Sequence, residues 1–315
     1  MREFGFESTT DDVLEGVSLA GKVILVTGAT AGLGIETSRA LAAAGASVVM
    51  LGRNPEVLEL EAAALRALGP AGQIDTQTVD LASLDSVRQS AAAILAAYPR
   101  IDVLINNAGV MACPLLRTAD GFEMQFGTNH LGHFLLTCLI APALLAGAPA
   151  RIINLSSTGH KLSNVNLDDP NYQQRDYDKW VAYGESKTAN VLFSVALDQR
   201  LRARGVRSLA VHPGVIMTKL SRHLTEVDIE NLMNSAPEGE SLDWKSVEQG
   251  AATSVWAATA PELADKGALY LENCQIAVPA APGQGGGIEA YALDTETAER
   301  LWNLSEQLVG QQFEL

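Results

Sequence analysis

Short runs of apolar and β-branched residues alternate along the chain with longer stretches rich in alanine and leucine. The run VILVT (23–27) is typical of a strand that is buried on both faces of a sheet. The stretch GIETSRALAAAG (34–45) has the composition of a helix and ends at a glycine, a common residue after helix C-termini. Strands and helices in turn predict right-handed crossovers, and therefore a parallel sheet with helices on both faces.

The alternation continues to about residue 275 and predicts about seven strands, with no linker between two domains. The predicted strands are 23–27, 47–52, 74–80, 101–106, 151–156, 206–212 and 267–272. The predicted helices are 34–45, 55–69, 83–98 and 181–204. We therefore predict an α/β fold with a Rossmann-like, doubly wound parallel sheet. It forms a single dinucleotide-binding catalytic domain over residues 21–275, after an N-terminal extension of residues 1–20.

Two stretches depart from this rhythm. Residues 219–246 are polar and acidic, and we expect a loop over about 217–246 to close the substrate site, with the 158–180 loop as a second wall. That second loop contains polar residues at His160, Lys161, Asn164 and Asn166. The stretch PAAPGQGGGI (279–288) has the composition of a flexible loop. After it, Asp294 and a spaced set of leucines predict a capped amphipathic helix. Residues 276–315 are thus a C-terminal loop and helix.

Composition narrows the function classes. The 315 residues are 47% hydrophobic and carry 22 basic and 37 acidic residues, so the net charge is −15. This charge disfavours nucleic acid and anionic membrane surfaces as partners. Cys113, Cys138 and Cys274 are widely spaced, form no metal motif and suggest no disulfide scaffold. The N-terminus has no apolar run of signal-peptide length. We expect a soluble cytoplasmic protein without a membrane anchor.

The sequence TGATAGLG (27–34) follows the first strand and precedes the first helix. Glycines at such a turn let a pyrophosphate approach the backbone, and the helix N-terminus offers free N–H groups. The spacing is G-x-x-x-G-x-G rather than G-x-G-x-x-G, but its position between strand and helix favours a nucleotide site. The candidate cofactor-binding residues of this turn are Gly28, Thr30, Gly32, Leu33 and Gly34.

The ends of the second and third strands bear on the choice of cofactor. Residues 50–54 contain no acid for a ribose hydroxyl, whereas Arg53 is a partner for the 2′-phosphate of NADP. We therefore expect NADP(H) to be preferred, with NAD(H) as the alternative. Asp80, next to Leu81, is placed to bond the adenine amino group, to cap the helix that begins near Ser83, or to do both.

Tyr183 and Lys187 are four residues apart in a predicted helix, so they lie on the same face. A free tyrosine has a pKa of about 10, and a nearby ammonium would lower it. Such a pair could pass a proton near neutral pH. The spacing alone favours two ordinary helix residues, because a tyrosine and a lysine at this separation occur by chance in many helices.

Five motifs stand in order along the chain: TGATAGLG, Asn106-Asn107-Ala108-Gly109, Ser156-Ser157, Tyr183-x-x-x-Lys187 and PGVIMT (213–218). Together they resemble the short-chain dehydrogenase/reductase family over about residues 20–275. The stretches NNAGVMACPLLRTADGFEMQFGTNHLGHFLLT (106–137) and YGESKTANVLF (183–193) resemble its retinol dehydrogenase and WW-domain oxidoreductase branch. That branch acts on lipophilic alcohols and carbonyls, often with NADP(H).

The resemblance implies a role for each matching residue. Tyr183 matches the general acid/base, and Lys187 the residue that lowers its pKa and holds the nicotinamide ribose. Ser157, in preference to Ser156, matches the residue that bonds the substrate oxygen. Asn129 matches a helix asparagine that completes a proton relay through water. The further implied cofactor contacts are Asn107, Ala108, Gly109, Tyr183, Lys187, Pro213, Gly214, Val215 and Thr218.

The match also departs from the family pattern. Ala31 stands where NADP-dependent members often carry a basic residue, so the NADP preference depends on Arg53. His130 and His133 have no carboxylate or cysteine at ligand spacing, which favours packing over a metal site.

We predict an NADP(H)-dependent oxidoreductase that interconverts an apolar alcohol and its ketone or aldehyde. The alternatives are a non-catalytic nucleotide-binding scaffold or sensor and a nucleotide-sugar epimerase or dehydratase. The resemblance further implies a homo-oligomer formed through helices that flank the sheet.

Overall fold

Strands and helices alternate along the chain in the computed structural model, which describes residues 3–233, 244–281 and 285–315. The strands are β1 (Val23–Thr27), β2 (Ser47–Gly52), β3 (Gln73–Thr78), β4 (Val103–Asn106), β5 (Ala150–Leu155), β6 (Val206–His212), β7 (Leu269–Glu272) and β8 (Gln275–Ile276). They form one sheet in the order β3-β2-β1-β4-β5-β6-β7-β8. Pairs from β3 to β7 are parallel, and β8 is antiparallel to β7. The predicted doubly wound α/β fold of a single domain is confirmed.

Helices cover both faces of this sheet. They are α1 (Thr10–Leu14), α2 (Gly32–Ala43), α3 (Pro55–Ala67), α4 (Leu84–Ala97), α5 (Met124–Phe126), α6 (Gly132–Ala146), α7 (Lys179–Leu201), α8 (Glu226–Met233), α9 (Val247–Thr259) and α10 (Thr295–Val309). Apolar residues of α1, α2, α3 and α9 form the core on one face. Those of α4, α6, α7 and α10 form the core on the other. The strands between two cores are buried on both sides, which explains their continuous apolar runs.

The helices α5 and α6 are joined by a π-helical turn at Gly127–Leu131, so one helix runs over Met124–Ala146. Among the described residues this is the one helix long and apolar enough to cross a membrane. Its most apolar window is 78% buried inside the protein. It serves here as a core helix, which accounts for apolar residues on all of its sides.

The strand count differs from the expected seven because β8 was not foreseen. A two-residue turn at Asn273 and Cys274, with φ values of 51° and 54°, joins it to β7. Two successive left-handed residues suit a tight hairpin but are usually asparagine or glycine, so the sequence Asn-Cys gave a weak signal. Some boundaries also moved: β3 ends at Thr78, β7 begins at Leu269, and α7 spans Lys179–Leu201.

Both termini pack on the domain. A capping box of Thr9 and Asp12 starts α1, which packs against α2 and α9. Asp294 caps α10 as predicted, by accepting a hydrogen bond from the backbone N–H of Thr297 at 2.7 Å. The side chain of Trp302 in α10 is buried, with its ring centroid 4.9 Å from that of Phe134.

Parts of two predicted loops lie outside the described residues. These parts are 234–243 of the 217–246 loop and 282–284 of the 279–288 loop.

Candidate active site

A cavity of about 840 Å³ opens at the carboxyl ends of the strands, where the strand order reverses between β1 and β4. Such switch points are the usual ligand sites of open α/β sheets. Every residue predicted to bind the cofactor lines this cavity. These are Gly28, Thr30, Gly32, Leu33, Gly34, Arg53, Asp80, Leu81, Asn107, Ala108, Gly109, Tyr183, Lys187, Pro213, Gly214, Val215 and Thr218.

The glycine turn has the geometry that a dinucleotide pyrophosphate requires. Gly28 and Gly32 have φ values of +68° and +52°, and a Cβ on Gly28 would lie 2.7 Å from the Cα of Ala108. Ala31, the N-cap of α2, makes no side-chain capping bond. Because this N-terminus lines the cavity and no side chain caps it, its N–H groups can receive a phosphate. The residues of the turn therefore fit the cofactor.

A hydrogen-bond network behind the glycine turn holds it against the Asn107 turn. The Thr27 hydroxyl accepts the N–H groups of Asn107 at 2.9 Å and Ala108 at 3.0 Å. The same oxygen lies 2.9 Å from Nε2 of His133, whose Nδ1 contacts the carbonyl of Asn129. Sequence reasoning missed Thr27 and His133 as supports, since only the fold pairs them.

Both histidines of the GTNHLGH stretch make hydrogen bonds inside the protein. His130 bonds the hydroxyl of Ser305 in α10 at 2.7 Å. No group of three or more potential metal ligands occurs within the described parts of the chain. Burial lowers the pKa of His130 to about 3, that of His133 to about 4 and that of His212 to about 3. We refer to these three residues as the buried histidines.

Near the carboxyl end of β2, two arginines line the cavity, and their charges interact. Arg53 and Arg222 both line the wall. Burial lowers the pKa of Arg222, and the positive charge of Arg53 lowers it further. Two cations at one wall favour an anionic ligand. Asp80 also lines this end, but its carboxylate accepts the N–H of Ala82, while Ser83 itself caps α4. The alternative that Asp80 caps this helix is therefore wrong.

Tyr183 and Lys187 lie one turn apart on α7, and both are buried. The ammonium is 5.6 Å from the centroid of the phenol ring and donates to the carbonyl of Leu155 at 3.1 Å. Burial lowers the pKa of Lys187 to about 8. Burial also raises the pKa of Tyr183 to about 12, against an opposing hydrogen bond from Ser157. This differs from the expected lowering by Lys187: desolvation of the phenol outweighs the distant ammonium.

Of the two adjacent serines, Ser157 is the one placed to meet a ligand. Its hydroxyl accepts the N–H of Gly159 at 3.0 Å and keeps its own proton to donate. A Cβ on Gly159 would lie 2.7 Å from the ring of Tyr183 and 3.4 Å from the Ser157 hydroxyl, so these groups surround one point. The Ser156 hydroxyl instead donates to the carbonyl of Lys187 at 2.9 Å.

Asn129 supports the wall of the cavity rather than lining it. Its side chain bonds both the N–H and the carbonyl of Val110, at 2.8 Å and 2.9 Å. It also donates to the Ser186 hydroxyl at 2.9 Å. It lies near Lys187, since a Cβ on Gly109 would be 3.2 Å from the Asn129 oxygen and 3.7 Å from the Lys187 ammonium. Its role in a proton relay stays a prediction.

The remaining wall of the cavity is mostly apolar. Its described apolar side chains are Val110, Met111, Met124, Leu162, Trp180, Ile216, Met217, Leu220, Leu224, Ile229 and Trp244. Several of them come from the predicted 217–246 loop. An ion pair between Lys179 and Asp228, at 2.6 Å, holds α8 against the start of α7. This pair could not be predicted because it joins distant segments.

The 158–180 loop contributes Thr158 and apolar residues to the cavity, whereas the four polar residues predicted for this wall, His160, Lys161, Asn164 and Asn166, do not line it. Leu162 and Trp180 line it, whereas the His160 imidazole is buried behind Ser157. Lys161 reaches the carbonyls of Gly285 and Gly286. Sequence reasoning also missed His212, whose Nδ1 accepts the N–H groups of Thr158 and Gly214 beside the cavity.

Comparison with known proteins decides the family. The family model described as short chain dehydrogenase matches residues 22–228. The chain belongs to the short-chain dehydrogenase/reductase family. It is therefore an oxidoreductase, and its glycine turn, Tyr183 and Lys187 all lie within the matched part.

Relatives at about 40% identity share most of the chain. Retinol dehydrogenase 13 of Homo sapiens is 42% identical over 296 residues, covering 93% of this chain and 86% of the relative. Short-chain dehydrogenase/reductase prx1 of Penicillium rubens is 39% identical over 298 residues, covering 93% of this chain and 86% of the relative. The resemblance to the retinol dehydrogenase branch is confirmed.

Solved structures of the family have the same fold. An uncharacterized protein from Mycobacterium paratuberculosis has a TM-score of 0.75 and 35% identity, covering 98% of this chain and 100% of that chain. The Pseudomonas aeruginosa RhlG/NADP active-site complex has a TM-score of 0.65 and 28% identity, covering 81% and 95%.

Proposed function

We propose that this short-chain dehydrogenase/reductase interconverts an apolar alcohol and its ketone or aldehyde, with NADP(H) as the preferred cofactor. The observation that carries the proposal is the position of Tyr183 and Ser157. Their hydroxyl groups lie in one cavity between a glycine turn suited to phosphate and a wall of apolar side chains. A carbonyl seated between them would meet two O–H donors.

The cofactor preference is supported by charge. Arg53, which directly follows the second strand, and Arg222 line the cavity and would together hold a 2′-phosphate. Residues 50–54 contain no acid to bond a ribose hydroxyl. The solved structure of RhlG, a structural relative, is a complex of that protein with NADP. The nearby α2 N-terminus would hold the pyrophosphate.

The chemistry divides between cofactor and protein. A bound nicotinamide supplies or accepts the hydride, and the protein supplies orientation and electrostatics. During reduction, negative charge develops on the carbonyl oxygen, and the O–H groups of Tyr183 and Ser157 stabilise it. Tyr183 then gives its proton to that oxygen, and a raised pKa keeps the phenol protonated at neutral pH. The positive charge of Lys187, 5.6 Å from the centroid of the ring, favours the phenolate that remains.

The substrate class is supported by the apolar wall. Met111, Met124, Leu162, Trp180 and Trp244 line the same cavity as the two hydroxyls and offer little to bond a polar substrate. Burial of each methylene group of a substrate in such a wall gains about 0.8 kcal/mol. Longer apolar aldehydes should therefore bind better than short ones.

The test measures NADPH consumption with a series of straight-chain aldehydes and ketones of increasing length, and NADPH binding by fluorescence. Tyr183→Phe removes the proposed proton donor. Tyr98→Phe is the matched control, since the Tyr98 hydroxyl bonds Asp75 at the edge of the sheet, away from the cavity. We expect turnover that rises with chain length, survives Tyr98→Phe and is lost in Tyr183→Phe.

Each other outcome has a defined meaning. Turnover that persists in Tyr183→Phe would refute the assigned chemistry. Tight NADPH binding with no turnover on the whole series would favour the scaffold alternative. Tightly retained NAD together with conversion of a nucleotide sugar would favour the epimerase alternative.

We further propose a cytoplasmic location, with small molecules as partners, and a homo-oligomeric assembly. Any assembly through the outer side of α7 would have to include α10, which packs along it. Subcellular fractionation and light scattering of the purified protein test these points.

A further inference from the structure

The turn that carries Ser157 is held by hydrogen bonds to His160. Ser157 is the N-cap of a short helical turn at Thr158–Leu162. Its carbonyl accepts the backbone N–H of His160 at 3.0 Å and lies 2.7 Å from Nδ1 of the same residue. Since a carbonyl can only accept, Nδ1 must carry the proton.

The other ring nitrogen is bound to a distant part of the chain. Nε2 of His160 lies 3.2 Å from the backbone N–H of Glu289, which can only donate. The imidazole is therefore neutral, and both of its nitrogens are used. The side chain is fully buried, and its ring centroid lies 4.9 Å from that of Tyr270.

The backbone of His160 completes the junction. Its carbonyl accepts the hydroxyl of Tyr291 at 2.6 Å and that of Thr188 at 3.1 Å. Thr188 directly follows Lys187 on α7, and Tyr291 belongs to the C-terminal region. One residue thus joins the Ser157 turn, the helix of Tyr183 and Lys187, and the C-terminal segment 288–293.

We infer that His160 is a positioning residue for the proposed reaction, which holds the Ser157 hydroxyl in place beside Tyr183 and connects it to the C-terminal segment 288–293. The inference rests on the proposed function. The Cβ that bears the hydroxyl and the carbonyl carbon of Ser157 are bonded to the same Cα, so a bond that fixes the carbonyl restricts where the hydroxyl points. The bond to Glu289 in turn fixes the tautomer that can hold the carbonyl.

Two variants separate the two bonds of the imidazole. In His160→Asn, the amide nitrogen takes the position of Nδ1, so it keeps the donor to Ser157 and loses the acceptor for Glu289. In His160→Gln, the amide oxygen reaches the position of Nε2, so it keeps the acceptor for Glu289 and loses the donor to Ser157.

We expect His160→Gln to lower kcat about 10- to 100-fold, because small misplacement of a group that stabilises the developing charge is costly. His160→Asn should stay within about threefold of the unsubstituted protein, since it retains the donor. In the Ser157→Ala background, His160→Gln should have no further effect, because the group that it positions is gone. The Kd of NADPH should not change in either variant.

Equal losses of kcat in His160→Asn and His160→Gln would overturn the inference. It would also be overturned if His160→Gln lowered kcat in the Ser157→Ala background by the same factor as in the unsubstituted protein. Absence of turnover in the unsubstituted protein would instead overturn the proposed function, and this inference with it. If the His160 variants do not fold, Glu289→Pro removes the single N–H on the other side, at a φ of −71° that proline adopts. We expect a smaller loss of kcat from it, absent in the Ser157→Ala background; no loss would overturn the inference.

Discussion

The buried ammonium of Lys187 should make this protein less stable at neutral pH. Its pKa is lowered from 10.5 to about 8 because burial disfavours the charge. A difference of about 2.5 units corresponds to about 3 kcal/mol against the folded state at pH 7, where both states are protonated. Lys187→Met keeps the length of the side chain and removes the charge, so it should remove this cost.

The net gain from Lys187→Met can be estimated from its contacts. The substitution deletes the hydrogen bond to the Leu155 carbonyl, worth about 1 kcal/mol. That carbonyl keeps a partner, because the side chain of Asn190 donates to it at 2.9 Å. The free energy of unfolding should therefore rise by about 2 kcal/mol at pH 7. Activity should be lost at the same time, because residues required for activity often destabilise the folded protein.

The pH dependence gives the sharper test. A lysine whose folded pKa is lowered binds fewer protons in the folded state between about pH 8 and 10.5, so stability rises with pH through that window. Urea unfolding of the cofactor-free protein at pH 7 and pH 9.5 should show the advantage of Lys187→Met shrinking by about 2 kcal/mol. The exposed Lys266→Met is the control and should change little. An advantage that is absent at pH 7, or that is the same at both pH values, would refute the reasoning.

Three further predictions follow from other contacts. The buried histidines all have folded pKa values of about 4 or below, so unfolding takes up protons and the free energy of unfolding falls as the pH drops below 6.5. Urea unfolding should show that this free energy is lower by about 5 kcal/mol at pH 5 than at pH 7. An unchanged urea midpoint would contradict this prediction. Arg53→Ala should raise the Kd of NADPH about 10- to 100-fold and leave that of NADH unchanged, since one charged partner of the 2′-phosphate is lost. A fluorescence titration in which the Kd values of NADPH and NADH change by the same factor would argue against this contact. Trp302→Ala should lower the free energy of unfolding by about 3–5 kcal/mol, because the ring is buried against Phe134. The control Leu60→Ala, at an exposed side chain, should change it little. Urea unfolding that shows similar losses for the two variants would count against the packing role of α10.

The fold was predictable where one segment carries the whole signal. The strand at 206–212 matches β6 to the residue, because its apolar run is bounded by glycine and proline. β3 is half exposed and polar, so its end was misplaced. The helix over Met124–Ala146 is apolar on all sides and contains Pro142, so periodicity did not reveal it. Only the resemblance implied a helix at Asn129.

The site followed the same division. The glycine turn, Ser157 and the Tyr183–Lys187 pair are local motifs, and the fold brings them to one cavity. The direction of the Tyr183 pKa was not predictable, since it depends on how much protein surrounds the phenol. The support from Thr27 to the Asn107 turn joins segments 80 residues apart in sequence, which no local pattern reports.

The support of the site reaches beyond the part of the chain that carries the family motifs. The matched residues end at 228, yet the neutral tautomer of His160 depends on the N–H of Glu289. The core that includes apolar residues of α6 and α7 also includes Trp302 of α10, which lies beyond the matched residues. We therefore expect a change in the C-terminal region to alter catalysis through the Ser157 turn without touching a motif residue. Comparison of motifs alone would score such a change as neutral, whereas the hydrogen-bond path from Glu289 through His160 to Ser157 predicts a change in kcat.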